Sequence, residues 1–312
     1  KYRHAALALA RTGGFDAVLT YNLTSWNLAA AGAVKEVGLP WISVMLDFKN
    51  PGGGLEVHDW AARNADGHVF LSHWAYEKSR LRRKLHLDGG VELLPNIGSN
   101  RFDSLPARPV FVYAGLICKS NGSEFLANAL RRVRNRNAEF LIFGKGVCRK
   151  LEEAAAADSR IKIMGYVSVM ELEAACAGAT AFLSPRPNDI ENNGMIFPSK
   201  LLEYLKYGKP VICTPNRGMD PRYAEVLSIT SSHDPILYAD DIDKIAECSN
   251  RDYAAACGRI AAFVQSSRSW QVQATRLAEF IRIVSEQTKR VGTRGAVIPD
   301  APITGGPPTV VG

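Results

Sequence analysis

Along the chain, short uninterrupted apolar runs alternate with longer segments in which apolar positions recur every three or four residues. The first pattern predicts strands buried on both faces, the second amphipathic helices. Lys1–Arg11 is rich in Ala and Leu and reads as a helix that Thr12-Gly13-Gly14 stops. Phe15–Tyr21 is a strand, Trp26–Val37 an Ala-rich helix ending at Gly38, and Pro40–Leu46 the next strand. A Gly/Pro loop, Asp47–Leu55, follows directly; His58–Asn64 is helical, His68–Leu71 a strand, Trp74–Leu85 a basic helix and Val91–Leu94 a strand. After Ser99–Pro109, which reads as a linker, the alternation restarts. Strands at Val110–Tyr113, Phe140–Phe143, Ile161–Met164 and Ala181–Leu183 are separated by helices at Gly122–Arg134, Val147–Ala157 and Val169–Ala177. Ile229 opens another short strand, Pro235–Cys248 is a loop leading into a helix, and closing helices span Tyr253–Ser266 and Trp270–Lys289. The tail from Val291 is rich in Gly and Pro and is expected to be disordered.

Strands alternating with helices at this spacing imply parallel sheets covered on both faces, so the fold class is α/β with two units. The expected division is residues 1–104, residues 105–268, a closing helix over 269–290 that returns to the first unit, and a tail over 291–312. Ligands of such sheets bind outside the carboxyl ends of the strands. That places the loops after Leu46, Tyr113, Phe143, Met164 and Leu183 around one cleft.

The stretch Glu191–Thr214, ENNGMIFPSKLLEYLKYGKPVICT, is the most informative of the chain. Pro198 suits a first helical turn, Gly208 the left-handed position past a helix end, and Val211-Ile212-Cys213 a buried strand. Leu201, Leu202 and Leu205 share one arc and should face a core, while Ser199 and Glu203 fall on the opposite side. The turn at Ser199-Lys200 offers free N–H groups and a positive dipole end to a phosphate, and Glu203 a carboxylate to hydroxyls. A solvated surface helix satisfies the same pattern.

Composition is that of an ordinary soluble protein, with no apolar run long enough to span a bilayer and no secretory signal pattern. The six cysteines form no Cys-x-x-Cys pair and sit mostly in apolar segments, which fits a reducing cytoplasm without disulfides or structural zinc. The net charge of +7 is clustered in Lys78, Arg80, Arg82, Arg83 and Lys84 and in Arg131, Arg132, Arg134 and Arg136. Such runs are solvated helix faces, or, for Lys78–Lys84, a docking face for an anionic membrane surface. Nucleic acid is not expected as a partner: aromatic residues do not interleave with the basic ones. Walker A, GxGxxG, GxSxG and HExxH motifs are all absent, and Gly144-Lys145-Gly146 alone is a Gly-containing turn of the kind that cradles phosphate.

Taken in order, the pieces of the second unit resemble the donor-binding domain of retaining glycosyltransferases of the group 1 type, notably glycosyltransferase family 4. These pieces are Leu94-Pro95-Asn96-Ile97-Gly98, Phe111–Gly115, Phe140–Gly146, Ile161–Leu172, Ala181–Pro185, Phe197–Tyr204 with Gly208–Val211, and Ser269-Trp270-Gln271. The resemblance covers roughly Ala65 to Ile283 and, less clearly, Phe15 to Asp47. It implies a GT-B type fold of two facing Rossmann-like domains, the first incomplete, and transfer of a sugar from a nucleotide diphosphate sugar to an acceptor hydroxyl with retention. Glu203 would bind the ribose, and Gly194, Met195 and Ile196 would approach the donor sugar and pyrophosphate. The turns at Gly115, Gly144-Lys145 and Tyr166-Val167 would frame the diphosphate and base. The acceptor would be a glycan or lipid-linked sugar, with the enzyme in the cytoplasm or on the inner face of the cell membrane. The leaving phosphate would help take the acceptor proton, and neither cofactor nor metal is implied.

Three departures from the family pattern stand out. Met195 occupies the place of a usual second Glu, for which Glu191 or Asn193 offer substitutes. Leu116 and Asn121 stand where Arg and Lys are common, leaving Lys119 as the nearest cation in sequence. The chain opens in a helix rather than the expected strand and Gly-rich turn, which by resemblance implies that about 70–100 residues of an ordinary first domain are absent, as in a truncated chain or gene fragment. Asp47 sits where the family often has a His-Asp pair, and would orient acceptor or donor sugar; an Asp that merely caps its loop fits equally. His73 is read as an ordinary structural His, and Asp189, Glu191, Asn192 and Asn193 as sugar-selecting or simply solvated. An epimerase on the same fold and a binding module without catalysis are the alternatives.

Overall fold

Every strand pair in the computed structural model, which describes residues 1–22, 24–45, 63–94, 104–186 and 196–291, is parallel. The chain divides into two units: Lys1–Asp88, Gly194–Phe197 and Ala274–Gly312 form one, and Gly89–Asn193 and Pro198–Gln273 the other. The Gly/Pro loop expected at Asp47–Leu55 and the tail after Val291 lie outside the described residues.

In the first unit, strands β1 (Val18–Tyr21), β2 (Trp41–Met45), β3 (Gly67–Phe70) and β4 (Lys84–His86) lie in sequential order. Helices α1 (Tyr2–Arg11) and α2 (Ser25–Glu36) accompany β1 and β2, and the Thr24 side chain caps α2 by accepting from the Asn27 N–H. The core joins Ile42 and Val69 to Val284 of the closing helix, with Leu277, Phe280 and Ile281 packed around them. That helix approaches β3 closely because residue 67 is Gly: a Cβ there would lie 2.8 Å from Val284 Cγ2.

The basic helix expected over Trp74–Leu85 is much shorter. Helix α3 runs only from His73 to Lys78, capped by Ser72, and Ser79 turns into extended backbone. Lys84 and Leu85 then enter β4 beside β3, because the apolar positions of this stretch fit the edge of the sheet. The Lys84 ammonium is drawn inward, donating to the Tyr76 and Ser79 carbonyls (2.5 and 2.8 Å), and Arg83 donates to the Asp66 carbonyl. Lys78, Arg80 and Arg82 remain exposed, but not as one helical face. The strand expected at Val91–Leu94 is reduced to one bridge, Val91 with Ser269, and Leu94 donates to the Lys206 carbonyl instead.

The second unit holds a six-stranded sheet of order β10-β9-β8-β5-β6-β7. Its members are β5 (Val110–Ala114), β6 (Glu139–Phe143), β7 (Ile161–Gly165), β8 (Ala181–Ser184), β9 (Val211–Cys213) and β10 (Ser228–Ile229). Helices α4 (Ser123–Leu130), α5 (Arg149–Ala157), α6 (Val169–Gly178), α7 (Lys200–Leu205), α8 (Pro235–Ala246) and α9 (Asn250–Phe263) connect and follow them. Phe125, Leu126 and Leu130 of α4 and Tyr238 and Ile242 of α8 pack with Phe111, Phe140 and Leu183 of the sheet. The helix expected to run to Arg134 ends at Leu130, since the buried Asp243 carboxylate accepts from the Arg134 and Asn135 N–H groups and holds the chain in a turn. The second Arg cluster therefore lies past that helix, and Arg134 pairs with Asp240 at 2.8 Å. Pro235 opens α8 directly, capped by Asp234, where the sequence reads a loop. Helix α10 (Trp270–Val291) starts in this unit and, from Ala274, belongs to the first.

Just before α10, the fully buried Arg268 donates to Asp220 and to the Tyr223 hydroxyl, both at 3.0 Å, and lies over the Tyr223 and Phe263 rings. Burial pushes the Asp220 carboxyl up, but its hydrogen bonds to Arg222 and the charges of Arg222 and Arg268 outweigh that and hold it well below the usual carboxylate range.

Two outcomes follow from these buried groups. Arg268→Met should cost about 3–5 kcal/mol, since it strips one partner from a buried charged network, and urea denaturation checks it. His68, 3 % exposed and hydrogen-bonded to Ser43 Oγ at 2.9 Å, has its pKa pushed down to about 4, mainly by burial, with Asp66 opposing and Arg83 assisting. Below its unfolded value near 6.5, the unfolded chain takes up a proton that the fold excludes. The first unit should therefore hold constant stability from this group above pH 6.5 and lose up to about 3 kcal/mol as pH falls toward 4. His68→Gln should flatten that part of a stability–pH curve.

Candidate functional site

The chain reverses its direction of travel across the second sheet at β5, whose neighbours are β6 on one side and β8 on the other. Adjacent loops diverge at such a switch point and leave a crevice at the carboxyl edge. Here β8 pairs with β5 only through Phe111 and Val112, so the last peptide groups of β5 are open on that side. The Tyr204 hydroxyl fills the gap, accepting from the Ala114 N–H at 2.9 Å and donating to the Ala114 carbonyl at 3.1 Å. Its ring stacks on Phe182 of β8, with centroids 4.7 Å apart and planes at 7°. Tyr204 thereby fixes α7, with Ser199, Lys200 and Glu203, at the end of β5.

The turns after β5, β6 and β7 meet backbone to backbone. The Gly115 N–H donates to the Phe143 carbonyl, Gly144 to Gly165, and Ile117 to Lys145, at 3.0, 2.8 and 2.7 Å. Residue 144 has to be Gly: its φ is +145°, and a Cβ would lie 1.7 Å from the Gly115 carbonyl oxygen. The same holds at Gly122, φ +84°, where a Cβ would lie 1.9 Å from the Pro185 carbonyl oxygen.

Two cavities open on this edge and share Ala114, Gly115, Leu116 and Lys200. The smaller, about 100 Å³, lies among the ends of β5 and β8 and the start of α7, with Asn121, Arg186 and Ser199 in its wall. The larger, about 310 Å³, is walled by Phe143, Gly144, Lys145, Tyr166, Val167 and Leu172. Among the described residues neither lining contains an Asp or Glu: Arg186 and Lys200 face the first and Lys145 and Lys200 the second. Lys145 Nζ sits 4.2 Å from the centroid of the Tyr166 ring. Burial pushes the Tyr113 hydroxyl up to about 12, so it is neutral at pH 7 and donates to the Leu116 carbonyl. The arrangement is a recess with Arg186 and Lys200 in its wall beside a more apolar one, which suits an anion attached to a flat apolar group.

Of the residues singled out from the sequence, Gly115, Ser199 and Lys200 line the smaller cavity, and Gly115, Lys145, Val167 and Lys200 the larger. Glu203 is exposed, lines neither, and pairs with Lys200 at 2.7 Å. Lys119 is exposed on a short 3-10 turn and, like Ile196, lines neither. Asp47, Gly194 and Met195 lie outside the described residues, as do Asp189, Glu191, Asn192 and Asn193. Sequence reasoning missed Tyr204, whose signal was its place three residues past Leu201 on the buried arc, and Arg186, whose signal was its place just after β8. Lys209 of the Gly-Lys-Pro run closes the end of α6 by donating to the Ala177 carbonyl at 2.6 Å and to Ala179.

Residues 108–250, within the second unit, match the family model for glycosyl transferases group 1. A search of curated proteins gave no match. Among solved structures, a glycosyltransferase from Rickettsia africae is 14 % identical with a TM-score of 0.69, over 91 % of this chain and 80 % of that one. Sucrose-phosphate synthase from Thermosynechococcus elongatus is 15 % identical with a TM-score of 0.65, over 92 % and 78 %. HepE from Anabaena, solved with UDP and glucose, is 14 % identical with a TM-score of 0.59, over 94 % and 80 %. At such identities the likeness is one of fold: this chain is α/β, with the parallel sheets of the GT-B type. The family match favours transfer over the epimerase alternative.

Gly144→Ala should destabilise the second unit by at least about 2 kcal/mol, because the left-handed backbone and the Gly115 carbonyl both exclude a Cβ. Chemical denaturation of the variant checks this, and an unchanged midpoint would contradict the close approach.

Proposed function

We propose that this chain transfers a sugar from a nucleotide diphosphate sugar to an acceptor hydroxyl with retention, in the synthesis of a glycan, glycolipid or exopolysaccharide. The observation that supports it most is the pair of cavities at the switch point of a unit that matches the group 1 model, with Lys145, Arg186 and Lys200 as their charged lining among the described residues. The diphosphate is assigned to the recess at Gly115, Ser199 and Lys200, and the nucleoside to the larger cavity beside Lys145 and Val167. Glu203, one turn along α7, is assigned the ribose hydroxyls, with Lys200 as its neighbour in the free protein. Gly194, Met195 and Ile196 are assigned to the donor sugar, and Asp47 to orienting sugar or acceptor. That HepE was solved with UDP and glucose supports the class of donor.

In this reading the bond between the anomeric carbon and the diphosphate oxygen breaks while the acceptor oxygen bonds to that carbon on the same face. The departing diphosphate gains negative charge and takes the acceptor proton. Fixed N–H groups and cations around it lower the barrier, and holding donor and acceptor together supplies the rest. No cofactor or metal is assigned. Among the described residues no helix is long and apolar enough to cross a membrane. The exposed Lys78, Arg80 and Arg82 are the cations offered to an anionic membrane surface that carries a lipid-linked acceptor.

Calorimetry with UDP-, GDP- and ADP-sugars tests the assignment. One of them should bind the wild-type chain, and Glu203→Ala should weaken that binding by about 1–3 kcal/mol through loss of charge-assisted hydrogen bonds. Unchanged affinity would reject the ribose role of Glu203.

A further inference from the structure

The turn after β5 places Leu116 and Asn121, rather than a cation, in the wall of the smaller cavity. Neither brings charge: Leu116 is 55 % exposed, and the Asn121 amide donates to the Leu116 carbonyl at 3.1 Å. The smaller cavity is cationic all the same, because Arg186 enters its wall from the end of β8, on the other side of the switch point.

The backbone that carries Arg186 is held from two sides. Gly122 lets the Pro185 carbonyl approach to where any Cβ would stand, and the buried Thr214 hydroxyl donates to the Arg186 carbonyl. The side chain, in contrast, is not satisfied. Among the described residues, Arg186 Nε, sealed from solvent, has no hydrogen-bond partner, and no carboxylate lines the cavity it faces. An enclosed guanidinium N–H without an acceptor is costly, and an anion entering the cavity removes that cost. A guanidinium is charged at any working pH and presents a planar fork that matches two phosphate oxygens, which a lone ammonium cannot do.

We infer that Arg186 is the diphosphate-binding cation of this site, supplying from the end of β8 the charge that Leu116 and Asn121 do not. The identity of the anion as a nucleotide diphosphate rests on the function proposed above; the existence of a phosphate site at Arg186 does not.

Calorimetry on the full chain, with inorganic pyrophosphate, with UDP, GDP and ADP, and with the matching nucleosides, tests it. Arg186→Gln should weaken pyrophosphate and the preferred nucleoside diphosphate by about 10- to 100-fold, as loss of charge-assisted hydrogen bonds does, and leave the nucleoside within about twofold. Arg186→Lys should recover part of the loss, and both variants should melt like the wild type. Undiminished pyrophosphate and nucleoside diphosphate affinities in Arg186→Gln would overturn the role of Arg186 while leaving the proposed function standing. Equal losses for nucleoside and nucleoside diphosphate would overturn it too, as would a wild-type chain that binds neither pyrophosphate nor any nucleotide. Arg186-dependent pyrophosphate binding without nucleotide binding would keep the anion site and reject the nucleotide-sugar reading.

Discussion

Where β8 stops pairing with β5, the peptide groups of Ala114 face an open side, and buried peptide groups without partners are strongly disfavoured. The Tyr204 hydroxyl answers both at once, as acceptor for the N–H and donor to the carbonyl. Much of the candidate site depends on that pair of bonds. They allow β5 and β8 to separate at the switch point, and they seat α7 against the opening with Lys200 toward the cavities and Leu201 and Leu205 in the core. The Phe182 ring beneath Tyr204 keeps the hydroxyl on target. Because burial raises the Tyr204 pKa, the phenol stays protonated and keeps its donor role throughout the neutral range.

A second constraint is the contact among the turns that follow β5, β6 and β7. Their peptide groups bond to one another, and Gly144 makes this possible by lacking a Cβ where the Gly115 carbonyl passes. Backbone packed this closely leaves little side-chain bulk at the mouth of the sheet. The charged groups among the described residues that line it, Lys145, Arg186 and Lys200, come from the ends of three different elements, and Lys200 is paired with Glu203. Positive side chains thus stand where an anion has room to bind.

Much of this was legible in the residues. Uninterrupted apolar runs marked the buried parallel strands of the second sheet, and the Pro198–Gly208 frame marked α7, whose left-handed end at Gly208 has φ +61°. The basic stretch after Trp74 misled, because Lys and Arg favour helices in isolation while pairing with β3 decided the structure of Lys84 and Leu85. The end of α4 depended on Asp243, more than a hundred residues away, which no local pattern can announce. Arg186 had a local signal in its place just after β8, but its neighbours in the cavity come from β5 and α7, and only the sheet order brings them to it.

The central claim is that the carboxyl edge of the second sheet binds a nucleoside diphosphate. Photolabelling with azido derivatives of UDP, ADP and GDP, followed by peptide mapping, tests it most directly. The account predicts crosslinks in the turns after β5, β6 and β7, at Gly115–Lys119, Gly144–Val147 and Tyr166–Ser168, abolished by the unlabelled nucleotide. Crosslinks confined to the first unit, or labelling of these turns that unlabelled nucleotide does not compete away, would contradict it.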